Sequence, residues 1–323
     1  MNSDDNWLSI QWHLNRTDQA LVARWAKELL DNNVPPAFHY QTNEQANRWR
    51  AVFETHAPIH HDNPVKELYR KGLIDLAAAI PAGITRLVSI GCGTGEKDLL
   101  VGSQLEAIRG PLGYLAIDLS PNLVAEAVAR FVDQLPSWKV SGAVCDFDAV
   151  KSEDPFFLGT ERTCFLCFGI LPNYLPQRFF EQIKKQMKPE DLLVIGANLI
   201  PDEREQTRSK ILSQYANKET ESWLTLALDL VALEKKNFHL DWNVVKTTWG
   251  YSLEAFVTAE ENDTMRYGDV SKKLASGEQL RLFASYRFKL DTFKEAVKQH
   301  GFQVIDSRVS ACGEEGLFTL ALV

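Results

Sequence analysis

The sequence predicts an α/β protein built on an open, parallel, doubly wound sheet, with a smaller region of different rhythm attached. Three observations carry this reading. Residues 86–90 form a short apolar run that leads straight into Gly91-Cys92-Gly93-Thr94-Gly95, and helical pattern resumes from about Glu96. Strand-like and helix-like segments then alternate, with short connections, as far as Asn198. That alternation is the mark of parallel strands joined by helical crossovers. After about Pro201 it stops.

The elements follow in order. From Trp7 to about Asn33 the pattern is helical, with Leu21, Ala23, Trp25, Leu29 and Leu30 at helix spacing and Asp18 as a cap. Pro35-Pro36 ends that helix, and two more are expected over 43–55 and 64–79. Leu87, Val88 and Ile90 read as a buried strand. The next strand, Tyr114-Leu115-Ala116-Ile117-Asp118, ends on a carboxylate; Ser120 caps the following helix and Pro121 takes its first position. Further strands are expected over 140–145, 162–168 and 192–198, with a helix over 177–187. Residues 210–236 read as one long Leu- and Ala-rich helix or two. Strands over 249–252 and 280–290, a helix over 291–299 and terminal strands over 301–304 and 317–323 complete the chain.

The chain has 323 residues, enough for one large domain or two ordinary ones. Its net charge of −8 provides no basic field for nucleic acid or an anionic membrane. No apolar run approaches the roughly 18 residues that a membrane-spanning helix needs. The start, Met1-Asn2-Ser3-Asp4-Asp5, lacks a basic, apolar signal region. The expectation is a soluble, cytoplasmic monomer whose partner is a small molecule. Cys164 and Cys167 have redox-like spacing but lie inside an apolar run, and His60, His61 and Asp62 are too close in sequence to converge on an ion. No metal is expected.

Gly91, Gly93 and Gly95 permit positive φ and close approach of another group to the backbone. The helix that follows points its free N–H groups at whatever sits in the turn. Together they make a seat for a nucleotide-like cofactor. A dinucleotide would place the third glycine three residues after the second; here it comes after two. Asp118 can accept ribose hydroxyls, Asp146 an adenine amine, and Phe147 can cover the ring. No basic residue stands in the turn to meet a diphosphate. These details favour S-adenosyl-L-methionine (SAM) over NAD or FAD; a turn that holds no ligand is the remaining reading.

Gly91-x-Gly93-Thr94-x-Glu96-Lys97, Asp118, Ala143-Val144-Cys145-Asp146-Phe147 and Asn173-Tyr174-x-Pro176 resemble the histidine-specific, ergothioneine-pathway SAM-dependent methyltransferase family. Pro35-Pro36-x-Phe38-x-Tyr40, Asn198-Leu199-Ile200-Pro201-Asp202 and Tyr215 extend the likeness, which covers about 34–290. The resemblance implies a class I methyltransferase, Rossmann-like sheet over 62–200 plus 289–323. It also implies a smaller α+β substrate domain from 1–61 plus an insertion over 201–288. Gly91, Cys92, Gly93, Lys97, Asp118, Asp146 and Phe147 would hold SAM, with Lys97 near its carboxylate. Asn173 would reach the substrate's carboxylate or amine, and Tyr40 and Tyr215 would close over it. With Tyr174 these form the catalytic set, and Phe38, Asn198, Phe283 and Ser285 would line the substrate pocket.

Two departures bear on the substrate. The family reads imidazole with a glutamate and a serine two residues apart on a late strand. Ser285 keeps the serine, but Phe283 stands at the glutamate position. An imidazole N–H left unpaired there costs about 1–3 kcal/mol. Tyr174 also places a phenol where the family has an aliphatic residue or Phe, and the tyrosine expected before the first core strand falls near His56-Ala57-Pro58. The expected activity is N-methylation of a small amino acid or amine other than histidine, in secondary metabolism. One alternative is a cyclase in which the α-amine of SAM attacks its own γ-carbon, giving azetidine-2-carboxylate and methylthioadenosine. Another is a non-catalytic SAM-binding protein.

Overall fold

The computed structural model describes residues 9–12, 19–151, 154 and 161–323. Thirteen strands are present among them: β1 (Ser9–Trp12), β2 (Arg86–Ile90), β3 (Gly113–Asp118), β4 (Lys139–Val144), β5 (Thr163–Cys167), β6 (Leu192–Asn198), β7 (Phe238–Thr247), β8 (Gly250–Ala259), β9 (Asp263–Tyr267), β10 (Val270–Leu274), β11 (Gln279–Phe288), β12 (Phe302–Val309) and β13 (Glu315–Leu322). Eight build one sheet in the order β1-β4-β3-β2-β5-β6-β13-β12. β1 to β6 run parallel, while β13 pairs antiparallel with β6 and β12 antiparallel with β13. The order reverses at β2, with β3 and β4 on one side and β5 and β6 on the other. Such a switch point opens a crevice at the carboxyl ends of the strands.

Both faces of the sheet are covered, which is why its central strands read as unbroken apolar runs. Leu87, Cys164 and Leu166 join one core with Val101, Leu105 and Phe131 from the helices Glu96–Arg109 and Pro121–Gln134. Val88, Phe165 and Cys167 join the other with Phe179, Phe180 and Phe293 from Pro176–Lys184 and Leu290–Gln299. Alternation along β5 therefore puts the Cys164 and Cys167 thiols on opposite faces.

β11, β8 and β7 form a separate three-stranded antiparallel sheet, with β9 and β10 as a hairpin beside it. Its core includes Val257 and Leu282 from the strands, Trp25 and Phe38 from before β2, and Trp223 and Leu228 from after β6. The far end of β11 is tied to the large sheet where Ile200 N donates to Phe288 O at 2.9 Å.

Several local expectations are corrected. The helical pattern drawn from Trp7 does not hold over Ser9–Trp12, which pairs with β4 as an edge strand. The unpaired backbone of a sheet edge outweighs local propensity there. The helix itself is Gln19–Leu30, and the expected cap Asp18 lies outside the described residues. Residues 210–236 are not one or two long helices. They break into Glu205–Ser213, Lys218–Leu224 and Ala227–Leu230, because Asn217 caps a new start through Thr220 N at 2.9 Å and Ala232 adopts φ +57°. The stretch 64–79 carries a π turn over Leu68–Gly72. Ser120 occupies the cap position, but its side chain makes no cap bond. β7, β9 and β10 are strands that the sequence pattern does not predict. Among the described residues no helix is long and apolar enough to cross a membrane.

Gly250 opens β8 at φ +145°, where an added Cβ would stand 2.3 Å from Arg287 O. Gly250→Ala is expected to lower unfolding stability by about 1–3 kcal/mol, read by urea denaturation. A variant as stable as the wild type would contradict this packing.

Candidate active site

The crevice at the switch point begins with the glycine turn. Gly91, Gly93 and Gly95 adopt φ of 68°, 53° and 73°. Gly91 N and Cys92 N both donate to Ile117 O, at 2.8 and 3.0 Å, and Gly93 N donates to Asp118 Oδ2 at 3.1 Å. A Cβ on Gly95 would meet Ala127 Cβ at 2.9 Å, so only glycine lets the helices starting at Glu96 and Pro121 approach so closely.

Two carboxylates close the neighbouring strands. Asp118 also accepts from Ser120 N at 3.0 Å, and burial pushes its carboxyl upward. Asp146 Oδ1 accepts from Asp148 N at 2.8 Å, while its Oδ2 is buried with no partner. Burial, and then the nearby Asp148 charge, push the Asp146 carboxyl up to about 7. Phe147 follows, its ring 5.8 Å from Tyr174 at 87°.

These groups line a cavity of about 320 Å³. At its other end the rings of Tyr40 and Trp49 lie 6.3 Å apart, Tyr40 and Trp223 5.5 Å, and Trp223 and Phe283 5.9 Å. A polar chain runs among them. Asn198 Nδ2 donates to the Tyr215 hydroxyl at 3.3 Å, which lies 3.1 Å from Ser285 Oγ. The Tyr40 phenol hydrogen-bonds Asn173, and burial, then Asp118, hold its titration above the ordinary range. Burial does the same for Tyr174, so both phenols stay protonated.

Of the residues named from the sequence, all but Phe38 lie on this cavity wall: Tyr40, Gly91, Cys92, Gly93, Lys97, Asp118, Asp146, Phe147, Asn173, Tyr174, Asn198, Tyr215, Phe283 and Ser285. Phe38 is corrected. It is fully buried, 5.4 Å from Trp25 and 4.9 Å from Tyr267. Pro36–His39 is a 3₁₀ turn, so Phe38 and Tyr40 do not share a face as an extended segment would have them do. Sequence reasoning missed Trp49, Tyr69, Gln214, Trp223, Arg287 and Glu315, which also line the cavity. Trp49 had a signal, since it lies four residues before Phe53 on Asn43–His56 and stacks on it at 5.4 Å.

A buried acceptor without a partner on Asp146, a second carboxylate at Asp118 and a positive-φ turn fit an adenosine whose amine and ribose need acceptors. Residues 67–321 match the family described as histidine-specific, SAM-dependent methyltransferases. The chain belongs to this family. It is a SAM-dependent methyltransferase, and SAM is its cofactor. Among solved structures it is similar to a SAM-dependent methyltransferase of Clostridium acetobutylicum, 13% identical, covering 85% of this chain and 98% of that one, TM-score 0.46. It is also similar to the magnesium protoporphyrin IX methyltransferase of Synechocystis, 10% identical, covering 87% and 95%, TM-score 0.46. The non-reducing polyketide synthase sorB of Penicillium rubens is 26% identical over 148 residues, 43% of this chain. The chain spans only 5% of that relative's length.

Two outcomes are expected of this methyltransferase. Asp146→Asn keeps the bond to Asp148 N but puts an N–H donor where the free acceptor was. Binding of S-adenosylhomocysteine and of methylthioadenosine should weaken alike, about tenfold by calorimetry, with no loss of thermal stability. Unchanged binding of both would contradict the adenine assignment. His39 is buried, its Nε2 donates to Leu282 O at 2.7 Å, and burial lowers its titration from 6.5 to about 4. The folded ring stays neutral while the unfolded one protonates, so this contribution is complete above pH 6.5 and is lost as pH falls toward 4. It amounts to about 3 kcal/mol. His39→Gln should remove that part of the acid slope in urea unfolding at pH 7.5 and 5.

Proposed function

We propose that this methyltransferase N-methylates a small amino acid or amine other than histidine, one whose side chain is apolar or small. The observation that carries the reading is Phe283. Its ring lies 5.9 Å from Trp223 and 6.2 Å from Tyr215 on the cavity wall. Ser285, two residues on, is already engaged with Tyr215. An imidazole placed there would meet aromatic carbon on one side and leave its N–H unpaired.

When bound, SAM supplies an electrophilic methyl group on a sulfonium. Transfer to nitrogen is an in-line displacement that needs a neutral amine, a short donor–acceptor distance and little water. Asn173 with Tyr40, and Asn198 with Tyr215, provide donors and acceptors that orient the amine. Tyr40, Trp49, Trp223 and Phe283 exclude water and present aromatic faces to a cation. Residues 1–61 and 201–288 would act together as the substrate domain over 62–200 and 289–323.

The test is mass spectrometry of every product after incubation with SAM and a panel of L-amino acids and amines. The reading expects S-adenosylhomocysteine with an N-methylated product from an apolar or small acceptor, and none from histidine. Methylthioadenosine formed without acceptor would overturn it in favour of attack by SAM's own α-amine on its γ-carbon. Tight SAM binding with no product from any acceptor would overturn it in favour of a binding protein.

A further inference from the structure

A charged cluster on the cavity wall has no part in the adenosine seat. Tyr69, Lys97, Arg287 and Glu315 all line the cavity. Tyr69 comes from the π turn Leu68–Gly72 before β2, Lys97 from the helix after the glycine turn, Arg287 from the end of β11 and Glu315 from the start of β13. Four separate segments thus bring two cations, a carboxylate and a phenol to one place.

The donors and acceptors do not balance. The Tyr69 hydroxyl donates to Glu315 Oε2 at 2.9 Å. Among the described residues that is the one hydrogen bond to this carboxylate, and no cation pairs with it within 4 Å. Lys97 Nζ spends one of its three donors on Phe168 O at 3.1 Å and lies 4.2 Å from the centre of the Tyr69 ring. Arg287 is 2% exposed; it donates to Leu199 O at 3.4 Å and Gln214 Oε1 at 2.8 Å, and its buried Nε has no partner. Burial pushes Glu315 up and Lys97 down, and the charges of Lys97 and Arg287 offset the burial of Glu315 only in part. Buried charges left in this state are costly unless a ligand completes them.

What would complete them is a zwitterion. An α-ammonium can be accepted by the free lone pairs of Glu315, and an α-carboxylate can take the spare donors of Lys97 and Arg287. Phe168 O, which Lys97 touches, follows the last residue of β5, and Lys97 is the second residue of the helix that the glycine turn starts. Lys97 therefore brings the cluster beside the turn, while the Arg287 guanidinium lies 5.8 Å from the centre of the Tyr215 ring. We propose that Glu315, oriented by Tyr69 and flanked by Lys97 and Arg287, binds the α-ammonium of the amino-acid end of SAM. This rests on SAM being the cofactor and is independent of the acceptor's identity. It gives the start of β13 a part in holding the reacting sulfonium in place.

The experiment is calorimetric titration of the full chain with two probes. S-adenosylhomocysteine carries the amino-acid end, and methylthioadenosine lacks it. Glu315→Gln should weaken S-adenosylhomocysteine tenfold or more and leave methylthioadenosine within twofold of the wild type. Tyr69→Phe should act in the same direction to a smaller extent, and it decides the matter if Glu315→Gln does not fold. Equal loss for both probes would show a merely structural role, and no loss for either would show no contact; each overturns the proposal. Since no acceptor is present, failure here is separate from failure of the acceptor reading.

Discussion

The molecule depends on how the glycine turn is clamped to the end of β3. Three successive amides, from Gly91, Cys92 and Gly93, are taken up by Ile117 O and Asp118 Oδ2. That clamp fixes where the helix from Glu96 begins, and with it the direction of its free N–H groups. It also means that Asp118 spends part of its acceptor capacity on the turn, and part on Ser120 N. Gly95 sets the other limit, since its contact with Ala127 leaves no room for a side chain. Turn, helix start and the Asp118 carboxylate are therefore a single construction, and displacing one displaces all three.

That construction was legible because it is local. Leu87 to Lys97 contains strand, turn and helix start without help from elsewhere, and Asp118 and Asp146 end strands that the apolar pattern marks plainly. What was not legible depends on partners far away in sequence. Ser9–Trp12 is a strand only because β4 offers an open edge. Phe38 and Tyr40 separate because a 3₁₀ turn rotates one into the core, and spacing alone cannot reveal that. Glu315 resembles any surface carboxylate in a polar stretch, yet pairing of β13 with β6 sets it opposite Asn198 and buries it against Tyr69. Arg287, like Trp49, carries a signal in the sequence, as a cation within the apolar end of β11.

The cavity combines two demands that oppose each other. Methyl transfer favours a dry, aromatic setting, which Tyr40, Trp49, Trp223 and Phe283 supply. Holding a zwitterionic, sulfonium-bearing cofactor requires charges, and in a dry setting unpaired charges are expensive. Glu315, Lys97 and Arg287 bring the charges to the wall and Asn173, Asn198, Tyr40 and Tyr215 the neutral groups, with the Arg287 guanidinium 5.8 Å from the centre of the Tyr215 ring. The aromatic walls come from segments before β2 and after β6 that share one core.

The most direct measurement of this account is hydrogen–deuterium exchange with and without S-adenosylhomocysteine. The account predicts slower exchange over 91–95, 118–120 and 146–148, together with the helices Asn43–His56 and Lys218–Leu224 that carry Trp49 and Trp223. Protection absent from the glycine turn and from the ends of β3 and β4, or confined to surfaces away from the cavity, would contradict it.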